Sequence, residues 1–268
     1  RIVVGVESAR AEALLRDLYA PLTGKGAPLL VVDVKSAEII KHASNSFLAT
    51  KIGFINLVSR VCDAVGADIE NVAQGMGLDP RIGPSFLKAG IGFGGFCFPK
   101  DLSAFAHMAE KLGVPANILH EVLNANEDQK MYFVRKITNA LWNLNRKTIG
   151  VLGLAFKANT DDMRFAPSID IINALEKEGA RVQAYDPEAM PRAKAIFKNV
   201  AFKEKAYDVA KNADALAILT EWDEFSQLDY KRVKKLMRHP VIFDGRNILN
   251  PSKIKKMGFQ YHAMGRKI

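Results

Sequence analysis

The sequence predicts an α/β protein of three parts: a short strand–helix–strand piece, a helical middle with one long helix, and a doubly wound parallel sheet towards the C-terminus. Three observations carry this. Short apolar runs alternate with helical patterns at both ends, the order that buries a parallel sheet between helices. Residues 35–65 keep an apolar spacing of three and four over about eight helical turns. Strand patterns then return at Lys147. With 268 residues, 49% of them hydrophobic and 25% charged, the chain suits about two packed units and falls outside the disordered range.

Taken in order, residues 1–6 read as a strand, 9–20 as an amphipathic helix, and 29–32 as a second strand ending at Asp33. Along residues 35–65, Ile40, Ala43, Phe47, Phe54, Val58, Val61 and Val65 recur at helical spacing, while Leu48, Ile52, Ile55 and Leu57 occupy other faces. A helix apolar on most sides is buried on most sides, so this one is expected to run through the centre of the molecule or into a partner subunit. A two-fold homodimer built on it is the economical cover. Shorter helices follow, punctuated by Gly77, Pro80, Gly83 and Pro84. Asp101 suits the N-cap of a helix ending near Gly113, and a further helix covers about 118–144. Residues 148–153 form a strand entering a glycine turn, 168–178 a helix, and 181–185 a strand ending at Asp186. Strands at 215–219 and 241–243 complete the alternation.

Composition excludes several classes. No apolar run approaches the roughly 20 residues needed to span a bilayer. Two distant cysteines, Cys62 and Cys97, argue against a disulfide framework and for a reducing, cytoplasmic setting. Five scattered histidines give no metal-ligand pair. The net charge of +9 gathers at Lys231, Arg232, Lys234 and Lys235 and again at Lys253–Lys256, but on helical segments without interleaved aromatics. Solvated helix faces, not a nucleic-acid surface, account for them. A basic cleft for a small phosphate-bearing substrate fits the same charge.

Chemistry concentrates in residues 90–101, where four of the six residues from Gly90 to Gly95 are glycine. Such a stretch permits positive φ and close backbone approach to a ligand. Cys97 follows beside a helix start, where the helix dipole and Lys100 favour thiolate over thiol. Cys62 sits in the apolar pattern of the long helix and reads as core. Lys41 and Asn45, four residues apart, share a helix face; a cation and an amide donor there suit an oxyanion. Taken alone, Lys41 is equally a solvated lysine near a helix start, and Asp101 a plain N-cap.

Five ordered motifs resemble the UDP-glucose/GDP-mannose dehydrogenase family. They are Lys41-His42-Ala43-Ser44-Asn45-Ser46-Phe47-Leu48-Ala49; Arg81-Ile82-Gly83 leading to Phe86-Leu87-Lys88-Ala89-Gly90; the run from Gly92 to Asp101; Gly153-Leu154-Ala155-Phe156-Lys157 with Asp161-Asp162-Met163-Arg164; and Phe243-Asp244-Gly245-Arg246-Asn247. The resemblance implies a tail of an NAD-binding, Rossmann-like domain (residues 1–34), a central dimerisation domain with the catalytic cysteine (35–146) and a Rossmann-like UDP-sugar domain (147–268). The family's glycine fingerprint for NAD is absent, so the chain is expected to be a fragment with no oxidase activity of its own.

The implied activity is NAD-dependent oxidation of UDP-glucose to UDP-glucuronate through a thiohemiacetal and a thioester on Cys97. Lys41 and Asn45 would hold the oxyanion and Asp101 the hydrolytic water. The resemblance further implies substrate contacts from Lys41, Asn45, Arg81 (across the dimer), Phe86, Leu87, Lys88, Ala89, Gly90, Gly94, Phe156, Lys157 and Arg246, and cofactor contacts from Lys100 and Arg164. The alternatives are GDP-mannose or UDP-N-acetylmannosamine as substrate, or a non-catalytic nucleotide-sugar-binding and dimerisation module. Phe96, Phe165 and Leu57 depart from the family pattern, Phe96 standing where a small residue is usual.

Overall fold

A computed structural model describes residues 1–267. It opens with β1 (Ile2–Gly5), α1 (Ala9–Thr23) and β2 (Leu29–Val32), with β1 and β2 paired in parallel. Ser8 caps α1 by accepting from the Ala11 amide. The middle consists of α2 (Val34–Val65), α3 (Ile69–Gly77), α4 (Cys97–Lys111) and α5 (Asn117–Leu141). Asp33, expected only as a strand end, is the N-cap of α2 and accepts from Ser36 N. Gly66 ends that helix in the left-handed conformation at φ 73°.

The C-terminal part alternates as expected: β3 (Thr148–Leu152), α6 (Pro167–Lys177), β4 (Arg181–Tyr185), α7 (Met190–Ile196), β5 (Ala201–Phe202), α8 (Ala206–Ala210), β6 (Ala215–Ile218), α9 (Asp223–Ser226), α10 (Tyr230–Leu236), β7 (Val241–Asp244), α11 (Pro251–Lys256) and β8 (Gln260–Ala263). All six strands run parallel in the order β5-β4-β3-β6-β7-β8. The chain therefore reverses direction across the sheet between β3 and β6, and a doubly wound sheet opens a crevice at the carboxyl ends of those strands. Edge strands β5 and β8 went unread because one has two residues and the other, Gln-Tyr-His-Ala, lacks an apolar run.

Two apolar layers sandwich this sheet. Ile149, Val151, Ile171, Leu175, Val182 and Phe243 form one with Phe133 and Ile137 of α5, so the middle of the chain packs directly on it. Leu152, Ile218, Phe225, Ile242 and Tyr261 form the other. Lys130, nearly buried on α5, bridges to Asp170 on α6 and to Glu127. The segment after β8 returns to the middle, where Gly265 O accepts from Ile69 N at 2.7 Å and Arg266 pairs with Asp68 at 3.0 Å. Helix, sheet and chain end are thus bolted together around the crevice.

The long helix was expected to run through the centre of the molecule or into a partner subunit, and its own chain covers only part of it. Ala49, Gly53, Ile55, Ser59 and Cys62 are buried, but Phe47, Phe54, Leu57, Val61 and Val65 are exposed, Phe47 by 66% and Val65 by 71%. Within this chain α2 packs mainly on α4 and α5, and this stripe of its surface stays uncovered. Among the described residues, no helix is long and apolar enough to cross a membrane.

The packing predicts opposite results at two glycines. A Cβ at Gly150 on β3 would lie 2.6 Å from Val209 O, whereas one at Gly75 in α3 meets nothing within 4 Å. Gly150→Ala should destabilise the chain by about 1–3 kcal/mol through overpacking. Gly75→Ala should stabilise it by about 0.5–1 kcal/mol through helix propensity. Urea unfolding midpoints of the two variants read both signs.

Candidate active site

The glycine loop, residues 90–95, is buried throughout and held by side chains from three directions. Asn56 on α2 accepts from Gly90 N at 2.9 Å. Asn126 on α5 accepts from Phe93 N at 2.8 Å and donates to Phe93 O at 3.1 Å, and Gln129 donates to Gly90 O at 2.8 Å. From the sheet side, the Arg246 guanidinium donates to Gly92 O at 3.1 Å, Leu219 O at 2.8 Å and Phe156 O at 3.3 Å. Glu221 Oε2 lies 3.2 Å from Arg246 Nε, but that N–H points at Leu219 O, so the contact is an ion pair without a hydrogen bond.

Glycine is required where the loop meets the segment after β3. A Cβ at Gly94 would stand 2.3 Å from Phe165 O, and one at Gly95, at φ 76°, would strike the Phe156 ring at 2.7 Å. Gly94 brings backbone against backbone and Gly95 brings backbone against an aromatic ring, and any larger residue would push the two parts apart.

A cleft of about 290 Å³ opens at this junction. Phe86, Lys88, Ala89, Gly90, Gly94, Phe156, Lys157 and Arg246, all expected to touch a substrate, line it together. Leu87 does not: its side chain is buried with Ile55, Cys62 and Ile69, anchoring the loop that presents its neighbours. Arg81 does not line it either; its side chain is 88% exposed and pairs with Asp79. Ile52, Asn56, Phe93, Phe98 and Glu221 line the cleft without having been foreseen. A signal was present, since Lys41, Asn45, Ile52 and Asn56 fall four, seven and four apart on one face of α2.

Beside the cleft lies a buried carboxylate. Asp101 is fully buried and accepts from Lys41 Nζ at 2.6 Å and Asn45 Nδ2 at 2.6 Å, both to Oδ2; Lys100 Nζ stands 3.2 Å from Oδ1. Burial pushes its pKa up, but the hydrogen bonds from Lys41 and Asn45 and the nearby Lys100 ammonium outweigh that and hold it at about 2. The N-cap expectation is therefore wrong. Helix α4 begins at Cys97, with Pro99 in its first turn, and Asp101 lies one turn inside. That spacing puts Cys97 and Asp101 on one helix face. Lys41 and Asn45, also expected to touch a substrate, do not line the cleft; each gives one of its N–H donors to this carboxylate, while Cys97 is exposed and Cys62 buried.

Two cations frame the residue before the thiol. Lys100 Nζ lies 5.0 Å and Arg164 Cζ 4.6 Å from the Phe96 ring centroid. Arg164 also grips Asp162 through Nε and Nη2, and its carbonyl accepts from Gly95 N at 2.9 Å. Across the crevice, Asp186 at the end of β4 accepts from five donors: Leu154 N, Ala155 N, Trp222 Nε1, Glu188 N and Ala189 N. Two oxygens so loaded have no capacity for a ribose, so this Asp stabilises the β3 turn instead of reading a dinucleotide. Among the described residues no cluster of His, Cys, Asp and Glu could hold a metal.

Residues 35–128 match the central domain of the UDP-glucose/GDP-mannose dehydrogenase family, and residues 150–251 match its UDP binding domain. The chain belongs to this family. It is 45% identical over 267 residues to the UDP-glucose 6-dehydrogenase TuaD of Bacillus subtilis, covering 99% of this chain and 57% of that one. It is 44% identical over 271 residues to the UDP-glucose 6-dehydrogenase of Rickettsia bellii, covering 100% of this chain and 62% of that one. The solved UDP-glucose dehydrogenase of the archaeon Pyrobaculum islandicum superposes with a TM-score of 0.88 at 37% identity, over 98% of this chain and 58% of that chain. This family chain thus spans about three-fifths of the length of the relatives it matches.

The geometry predicts a pH signature. With a folded-state pKa of about 2 against an ordinary 3.8, Asp101 stabilises the fold fully above about pH 4 and loses that contribution as pH falls through 2. The stability gap between wild type and Asp101→Asn should therefore be about 2 kcal/mol at pH 7 and narrow steadily below pH 4. Urea titrations at several pH values measure the gap.

Proposed function

We propose that this chain carries the nucleotide-sugar and thiol machinery of a UDP-glucose 6-dehydrogenase, which oxidises C6 of UDP-glucose twice to give UDP-glucuronate. One observation carries the reading: an exposed thiol, Cys97, stands one helical turn from a buried carboxylate on which Lys41 and Asn45 converge, beside a cleft walled by the UDP binding domain. The choice of glucose is supported by relatives of that name at 44–45% identity, against 25% for the solved UDP-D-ManNAc dehydrogenase of Pyrococcus horikoshii.

The residues divide the work as follows. Lys88, Lys157 and Arg246, cations around the cleft, suit the diphosphate of the substrate. Cys97 Sγ, as thiolate, bonds to the aldehyde carbon at C6, and the electron pair of the C=O bond moves to oxygen. Lys41 and Asn45, each with an N–H left over after its bond to Asp101, are the donors proposed for that oxyanion. After the second oxidation, water adds to the thioester carbon, the C–S bond breaks, and the sulfur leaves as thiolate. Asp101, charged at neutral pH, orients that water by its negative charge.

Lys100 and Arg164, half-exposed cations beside Cys97, fit the anionic diphosphate of NAD, whereas saturated Asp186 does not fit its ribose. NAD, when bound, supplies the hydride acceptor for both oxidations.

The open apolar face of α2 supports a two-fold homodimer, with Phe47, Phe54, Leu57 and Val61 against the same residues of a second copy. Arg81, free of its own cleft, is then the residue that reaches the partner's substrate. Two free thiols support a cytoplasmic setting.

Calorimetry should show UDP binding to the 268-residue chain, weakened about tenfold by Lys157→Ala, the loss of one charge-assisted contact; an absence of binding sinks the reading. In a protein of the relatives' length, Cys97→Ala should abolish uronate formation, and uronate from that variant would remove the covalent route. Light scattering should give twice the 29.6 kDa chain mass, with Leu57→Asp reducing it to one.

A further inference from the structure

Phe96 is a large, 40%-exposed aromatic immediately before the reactive thiol, and two cations stand about its ring: Lys100 Nζ at 5.0 Å and Arg164 Cζ at 4.6 Å. They belong to different segments, Lys100 to the first turn of α4 and Arg164 to the long loop between β3 and α6. Each is tethered by a carboxylate, Lys100 by Asp101 at 3.2 Å and Arg164 by Asp162 at 2.8 Å, and the two like charges still repel each other across one mouth. An aromatic face attracts each of them and offsets that repulsion. The loop carrying Arg164 is latched here by its backbone as well, through Gly95 N to Arg164 O at 2.9 Å. Nearby charges do not cancel. Lys41, Lys100 and Arg164 face Asp101 and Asp162, three cations against two carboxylates.

We infer that Phe96 is a positioning residue: its ring gathers Lys100 and Arg164 into a two-cation mouth that draws an anionic group to the side of Cys97. The inference rests on the proposed function for the source of the anion, a phosphate of the dinucleotide. It stands on this chain alone for the electrostatics. Phe96 touches no reacting atom and acts through the cations it holds. A leucine would fill much of the same space without a π face, and a tyrosine or tryptophan would keep the face.

The test uses the 268-residue chain and two small alkylating probes, anionic iodoacetate and neutral iodoacetamide, with modification at Cys97 followed by mass spectrometry. The ratio of the two rates, relative to the same ratio for N-acetylcysteine, reports local charge and is insensitive to how much thiolate is present, since both probes need it. In the wild-type chain that ratio should exceed one. It should fall about two- to fivefold in Phe96→Leu, fall similarly in Arg164→Gln, and stay near wild type in Phe96→Tyr. High salt should erase the differences. An unchanged ratio in Phe96→Leu, or an equal loss in Phe96→Tyr, overturns the inference. If Phe96→Leu does not fold by circular dichroism, Phe96→Met, which also lacks a π face, against Phe96→Tyr decides it by the same ratio. Failure here leaves UDP binding untouched, and failure of UDP binding leaves this ratio untouched.

Discussion

Everything near the thiol depends on one buried carboxylate. Asp101 has no exposure to water, and a bare charge in that position would cost several kcal/mol. It survives because Lys41 and Asn45 on α2 and Lys100 on its own helix surround it. That requirement fixes the rotation of α2, since both donors must face α4, and the same face then delivers Ile52 and Asn56 to the cleft. Asn56 in turn fixes the start of the glycine loop. One electrostatic demand thereby sets the direction of a 32-residue helix and, through it, the shape of the site.

The second constraint is the crevice of the parallel sheet. Strand order creates it beyond the carboxyl ends of adjacent β3 and β6, where the chain connections leave in opposite directions, and Arg246, just past β7, reaches across to the glycine loop and to Phe156. Its guanidinium is mostly buried and has five donors in a fixed fork, so it can satisfy three carbonyls from three segments at once. A lysine there could not. The loop glycines let those segments meet at backbone distance. The cleft is accordingly a joint property of both halves of the chain, and neither half would form it alone.

Much of this was legible in the sequence because it obeys local rules. Apolar runs found the central strands of the sheet, and the three-four spacing found the full length of α2. The glycine density marked the loop, and motif order marked the family. What escaped depended on long-range partners. Asp101 before an apolar helical run reads as a cap, yet Pro99 is tolerated in the first turn of a helix, which let α4 start earlier at Cys97 and carry the Asp inside. Leu87 stands among cleft residues in sequence but turns into the core beside Ile69. The apolar surround of α2 allowed cover from this chain or from a partner, and only the structure shows that Phe47, Phe54, Leu57, Val61 and Val65 stay open in the single chain. Asn126 and Gln129 look like surface amides on an amphipathic helix until the loop they hold is in view.

The claim that Asp101 and its donors organise the site is tested most directly by a double-mutant cycle between α2 and α4. Unfolding free energies of Lys41→Ala, Asp101→Ala and the double variant give the coupling between the two side chains without assuming what each contributes alone. A charge-assisted contact at 2.6 Å between buried Asp101 and a largely exposed Lys41 predicts a coupling of about 1–2 kcal/mol, with the double variant less damaged than the sum of the singles. Additivity within about 0.5 kcal/mol would contradict it, and would mean that the long helix takes its orientation from apolar packing alone.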